Sequence, residues 1–187
     1  MLCLYVFICS YSTYCGSDDK IEIDFDEMDA DDGIEYYRSD IRLDNWYALN
    51  GDNYADSGYN HGTISDPNVG FNGFEDAISM TCPSGSFSLH SVWLTPAWTN
   101  DLVVEMKGYV KGAEVASFST VLANTTIPTF FESELSVFSG IDALVISTNA
   151  DHVAVDDMVI EIASPCVFDM KTSFVPVKNM EDVAGRT

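Results

Sequence analysis

Basic residues are scarce. Eight lysines and arginines stand against thirty aspartates and glutamates, a formal charge of -22 over 187 residues. A field of that sign repels phosphate backbones and anionic membrane surfaces, so nucleic acid is excluded as a partner. Also missing is any sustained three-and-four spacing of apolar residues with helix caps, which excludes a helical core. The usual catalytic signatures are absent as well. There is no Gly-x-Ser-x-Gly elbow, no His-Glu-x-x-His, no phosphate-cradling glycine-rich loop ahead of a helix, and only His61, His90 and His152 to act as bases. Among thirty acids a pair at glycosidase separation can always be imagined, so the acids alone do not argue for a hydrolase. The chain is expected to be non-catalytic.

What is present is a globular composition, 47% hydrophobic and 12% aromatic, in a length that fits one domain plus short ends. Residues 1–17, MLCLYVFICSYSTYCGS, carry no charge and hold an apolar run from Leu2 to Cys9. That run is too short to span a bilayer and suits the core of a secretion signal, although no basic residue stands near Met1. Cleavage after Ser17 is expected, with no membrane insertion afterwards and an extracellular destination. It would leave Cys82 and Cys166, an even pair expected to bridge in an oxidising compartment; two unpaired thiols, or a pair with Cys15, are the alternatives. Asn124-Thr125-Thr126 is the single glycosylation sequon.

Period-two alternation recurs along the rest of the chain. It predicts strands at 21–26, 45–49, 63–65, 69–72, 77–81, 86–95, 102–110, 113–122, 128–132, 141–148 and 152–162. Turn pairs such as Asn50-Gly51 and Lys111-Gly112 separate many of them. Many short strands with tight turns predict an all-β fold, a two-sheet antiparallel sandwich over residues 18–163. Residues 29–62, rich in Asp, Asn, Tyr and Gly, are expected as rim loops, and residues 164–187 as a tail or linker.

Two acidic knots lie far apart. In "IEIDFDEM" Glu22, Asp24 and Asp26 share the face opposite Ile21, Ile23 and Phe25. In "HVAVDDMVIEI" Val153 and Val155 set one phase, whereas Met158, Ile160 and Ile162 need the other. The register slips at Asp156-Asp157, the mark of a β-bulge. With first and last strands adjacent, Asp24, Asp26 or Glu27 would meet Asp156 or Asp157, and Ca²⁺ would neutralise the crowding. The competing view is two separate solvated faces. His152 is either a fourth ligand or a strand-end residue. "DADDG" at 29–33 lacks the spacing of a helix-loop-helix calcium loop and reads as a turn.

"IDFDEM", "NWYALN", "SGYNHG", "NVGFNGF", "FSLHSVWLTPAWTNDLVVEMKGY" and "HVAVDDMVIEI" together resemble a family of secreted jelly-roll domains similar to carbohydrate-binding modules with the galactose-binding-like fold. The resemblance covers about residues 21–162. The family's early Phe-Asp-Asp motif falls on Asp26 and Glu27, and its closing Ala-hydrophobic-Asp-Asn motif on Asp156, with Asp157 where Asn is commoner. Pro96 stands where a small residue is usual. The resemblance implies a structural calcium between the first and last strands and a carbohydrate partner, a cell-surface glycan among them.

Sugars stack their apolar faces on flat aromatic rings flanked by fixed hydrogen-bonding groups. Trp46, Tyr47, Tyr54 and Tyr59, with Asn50, Asn53 and Asn60, are the candidates for such a platform. For Trp46 the alternative is burial as a core anchor, and Trp93 and Trp98 are expected in the core. A structural or adhesive domain that binds other extracellular proteins is the second expectation, a glycan-modifying enzyme the third.

Overall fold

The structure is a computed structural model that describes residues 6–14, 20–28, 33–37, 41–83, 85–163 and 167–175. It has two units, Met1–Gly16 with Pro165–Thr187, and Ser17–Ser164. In the first, β1 (Val6–Tyr14) pairs antiparallel with the chain's last strand, β13 (Val167–Val175). β1 takes in part of the apolar run expected as a secretion signal; Cys15 and Ser17 lie outside the described residues.

The second unit is an all-β, two-sheet antiparallel sandwich. Its strands are β2 (Lys20–Ile23), β3 (Gly33–Tyr37), β4 (Ile41–Asn50), β5 (Asn68–Asn72), β6 (Ile78–Thr81), β7 (Ser86–Pro96), β8 (Leu102–Val110), β9 (Ala113–Leu122), β10 (Thr129–Phe131), β11 (Ala143–Thr148) and β12 (Val153–Ala163). One five-residue helix, α1 (Gly58–Gly62), packs on β7 and β12. The ladder runs β10-β7-β12-β5-β4-β6-β11-β8-β9, with β2 beside β12 and β3 beside β4.

Two strands change partner midway, and this makes two sheets of one ladder. Residues Trp46 to Asn50 of β4 face β5, whereas Arg42 to Asp44 face β6. Asn45 sits at the break with φ 61°, a left-handed conformation that Asn tolerates better than most residues. Its Nδ2 donates to the carbonyls of Gly73 (2.8 Å), Asp76 (3.3 Å) and Ala77 (3.3 Å), the backbone between β5 and β6. β12 does the same at its bulge. Ala154 and Val155 pair with β5, Met158 to Glu161 pair with β2, and the register against β7 shifts between Asp156 and Val159. Asp157 takes the positive φ, 43°.

The main core fills the space between the sheets. Trp46, 1% exposed, stacks on Phe25 with centroids 5.6 Å apart and 18° between planes, and its Nε1–H donates to the Ser79 carbonyl at 2.9 Å. This corrects its expected place on a ligand platform. The Phe25 ring in turn lies over Gly70, where a Cβ would stand 2.5 Å from it.

Several expected strands shift. β2 stops at Ile23 because Phe25 adopts φ 64° and Met28 N–H closes a turn on its carbonyl (3.1 Å). Residues 63–65 form no strand. Residues 33–37 and 41–50, expected mostly as loop, are β3 and β4. In "IRLDNWYAL" Ile41 and Leu43 point inward in one phase and Trp46 and Ala48 in the other, so the slip at Asn45 hides the strand from a search for unbroken alternation.

Trp46→Ala should lower unfolding stability by about 3–5 kcal/mol in denaturant titration, the usual cost of emptying a large aromatic site in a core.

Candidate functional site

Strand parity sends alternate residues of β4, β5 and β12 to the outer face, away from the main core. There Leu49, Tyr59, Val69, Ala97 and Ala154 form a second apolar cluster, with Phe71 packed against it. α1 carries Tyr59 and is capped by Ser57, whose Oγ accepts from Asn60 N–H at 3.4 Å. The Tyr59 hydroxyl meets His152 Nδ1 at 2.6 Å. Burial pushes that hydroxyl far above its ordinary value, and Asp151 and Tyr54 push the same way; a hydrogen bond from Trp98 opposes them. Tyr59 therefore stays protonated.

Beside this cluster a cavity of about 270 Å³ opens to the surface, lined by Tyr47, Phe71, Gly73, Phe74 and His152. Tyr47 sits between Phe71 (5.7 Å, 37°) and Phe74 (5.8 Å, 89°), and Phe71 lies 5.5 Å from the His152 ring. Phe74 is 77% exposed on a left-handed backbone, φ 55°. Beyond Tyr59 the aromatic surface continues through Trp98, 54% exposed, and Tyr54. Gly73 is required here, since a Cβ at that position would come within 2.3 Å of the Tyr47 ring.

Buried Asp151 holds the Trp98 loop. Its Oδ2 accepts from Trp98 N–H (3.2 Å), Thr99 N–H (2.7 Å) and Thr99 Oγ1 (2.7 Å), and its Oδ1 from His152 N–H (2.7 Å). Asn72 ties the same region to the strands. It accepts from Val153 N–H at 2.7 Å and donates to the carbonyls of Asp76 (3.2 Å) and Asp151 (3.4 Å).

Of the platform expected from sequence, Tyr47 and Tyr54 reach this surface. Tyr59, 2% exposed, does not; it supports the site from behind, a correction to its expected role. Asn60 donates to the Gly51 carbonyl (3.4 Å) and Asp52 (3.5 Å), and Asn50 caps the turn at Asp52, so both serve the loop itself. Trp98, expected in the core, is exposed. Phe71, Phe74, His152 and Asp151 were not in the expected set, although strand parity in "NWYALN" and "NVGFN" separates Tyr47 and Phe71 from Trp46 and Gly70.

β2 and β12 are neighbours, with Ile23 opposite Met158, yet their acids behave differently. Asp156 is fully buried and turned onto the loop above it. Oδ2 accepts from Ile64 N–H (2.7 Å) and Ser65 N–H (3.2 Å), and Oδ1 from Asp157 N–H (2.9 Å). These three backbone N–H bonds hold Asp156 against residues 64–65. Burial raises it to about 7 against those bonds. Asp26, which accepts from Asn68 N–H at 3.1 Å, is raised by burial and by Asp24, Asp157 and Asp66. Glu27 is exposed. Among the described residues no three His, Cys, Asp or Glu side chains converge as metal ligands. Cys82 is buried, and Cys166 lies outside the described residues. Asn124 is half-buried, with Oδ1 accepting from Thr126 N–H and Oγ1, both at 2.9 Å. Among the described residues no helix is long and apolar enough to cross a membrane.

No protein-family profile matches the chain, and no curated protein matches it by sequence. Solved structures do share its shape. A DUF4465 family protein from Bacteroides caccae ATCC 43185 superposes with TM-score 0.50 at 11% identity, over 80% of this chain and 92% of that one. A DUF4465 family protein from Bacteroides ovatus ATCC 8483 gives 0.46 at 8% identity over 83% and 99%. TmCBM61, solved with β-1,4-galactotriose, gives 0.39 at 12% identity over 65% and 88%. At these identities the likeness concerns the fold.

The raised Asp156 sets a pH dependence. Its folded value, about 7, stands above its ordinary 3.8, so the fold takes up a proton. Its contribution to stability is complete below about 4 and lost as pH rises through 7. Melting temperature should rise on acidification from pH 8 to 5, and Asp156→Asn should flatten that slope relative to wild type.

Proposed function

We propose that the domain is a non-catalytic module that binds neutral glycans at the aromatic surface of Tyr47, Phe71, Phe74 and Trp98. The observation that carries this reading is the pocket of half-exposed rings beside two rings, Phe74 and Trp98, left largely in solvent. Exposed aromatic patches of this kind mark binding sites, and sugar rings stack on such faces. The charge of -22 disfavours uronic acid and sulfated chains, which narrows the ligand to neutral saccharides. The secretion expected from residues 1–17 and a glycan at Asn124 belong to the same proposal.

A second reading has its own observation. Val103, Val115 and Val121 are exposed on the β8–β9 hairpin, and an apolar edge of this kind suits contact with other extracellular proteins in a structural or adhesive role. A glycan array separates the two, because silence on every neutral glycan from a folded domain favours adhesion.

For the leading reading, Phe74→Ala and Trp98→Ala should each weaken binding to an array-identified neutral glycan about tenfold, near 1.4 kcal/mol, in isothermal titration. Wild-type affinity in both variants would place the site elsewhere.

Calcium between the first and last strands is proposed on a narrower footing: among the described residues no three acids stand as a preformed ligand set, and the attraction comes from the negative field of the carboxylates around Asp26. Added Ca²⁺ should raise the melting temperature and EDTA should reverse the rise; a curve unchanged by either rejects the metal.

A further inference from the structure

We infer that His152 is the polar anchor of the aromatic pocket: its Nε2–H donates to an oxygen of the saccharide that lies against Tyr47, Phe71 and Phe74. The inference rests on the glycan reading of this pocket and deepens it, since stacked rings supply contact area but little selectivity for one hydroxyl pattern.

The tautomer follows from the hydrogen-bond network. Tyr59 is buried, and its O–H lies 2.6 Å from His152 Nδ1, which assigns the phenol as the donor of this bond. With Nδ1 accepting, the ring proton belongs on Nε2. That nitrogen is closed off from solvent and has no hydrogen-bond partner. Native proteins rarely leave a buried polar atom unpaired without a use for it. The same ring forms part of the pocket lining and packs 5.5 Å from Phe71.

The neighbouring contacts hold this donor still. Asp151 Oδ1 bonds His152 N–H (2.7 Å), and the neighbouring Val153 N–H is bonded by Asn72 Oδ1 (2.7 Å). A donor fixed by its own backbone and by Tyr59 is pre-organised, so little ordering remains to be done when an acceptor arrives. The outer wall is less constrained. Phe74 and Glu75 both have left-handed backbone, φ 55° and 62°, and the Phe74 ring meets Tyr47 edge-on while 77% exposed. Strained, exposed residues of this kind gather at ligand clamps. Phe74 shares the pocket lining with His152, and the wall has to open for a sugar oxygen to reach Nε2.

The test pairs a spectrum of the ligand-free domain with titrations of β-1,4-galactotriose, cellotetraose and xylotetraose. Long-range ¹H–¹⁵N spectra should show His152 protonated at Nε2, and Tyr59→Phe should release that preference. For the tightest of the three sugars, His152→Phe should weaken binding about fivefold to tenfold, the usual range for one lost hydrogen bond. His152→Gln, whose amide reaches the Nε2 position, should recover part of the loss. Should His152→Phe fail to fold, His152→Asn, which keeps a partner for Tyr59 but lacks the outer donor, takes its place. An Nδ1-protonated ring overturns the inference. So does a donor-less variant that binds as wild type while Phe74→Ala does not, and in that case the glycan reading survives. Wild-type silence on all three sugars and on the neutral-glycan array removes both.

Discussion

Two strands change partner midway, and the backbone groups freed there have to find partners. Asn45 supplies them where β4 leaves β6 for β5, bonding three carbonyls of the Gly73 to Ala77 segment. Asn72, at the end of β5, bonds Val153 N–H at the start of β12 and two carbonyls. Without these amides the carbonyls beside Asn45 would lose their partners, and Val153 N–H and the Asp151 carbonyl would lose theirs in the interior. With them, one ladder opens into two sheets around a single core, and the aromatic pocket lies at the corner they create.

The same economy governs the buried acids. Asp151 and Asp156 are both almost fully enclosed, and both spend their oxygens on backbone N–H groups of loops. Asp151 fixes the loop that presents Trp98, and Asp156 holds down residues 64–65. Ionised carboxylates in such places are costly unless bonded this fully. At Asp156 burial lifts the proton affinity while three amides hold it down.

Much of this was legible in the chain. Alternation located most strands within a residue or two, and the phase change in "HVAVDDMVIEI" marked the bulge where β12 changes partner. The matching phase change in "IRLDNWYAL" carried the same information, but a polar residue at the break made it look like a loop. The pocket was half visible. Trp46 and Tyr47 are consecutive residues of one strand and so face opposite sides, and grouping them on one platform ignored the pleat. Phe74, His152 and Asp151 come from a turn, a strand end and a loop, and no periodicity relates them. Only the packed fold brings them to one place.

Gly73 and Phe74 divide the tolerance of this corner between them. The missing side chain of Gly73 is the space the Tyr47 ring occupies, whereas the next residue, Phe74, projects into solvent and touches little else. Adjacent positions thus differ in what the fold tolerates: a side chain at the first displaces the Tyr47 ring, while one at the second meets mostly solvent. Exchange of the outer ring would therefore change the face the pocket offers while leaving the packing beneath it intact.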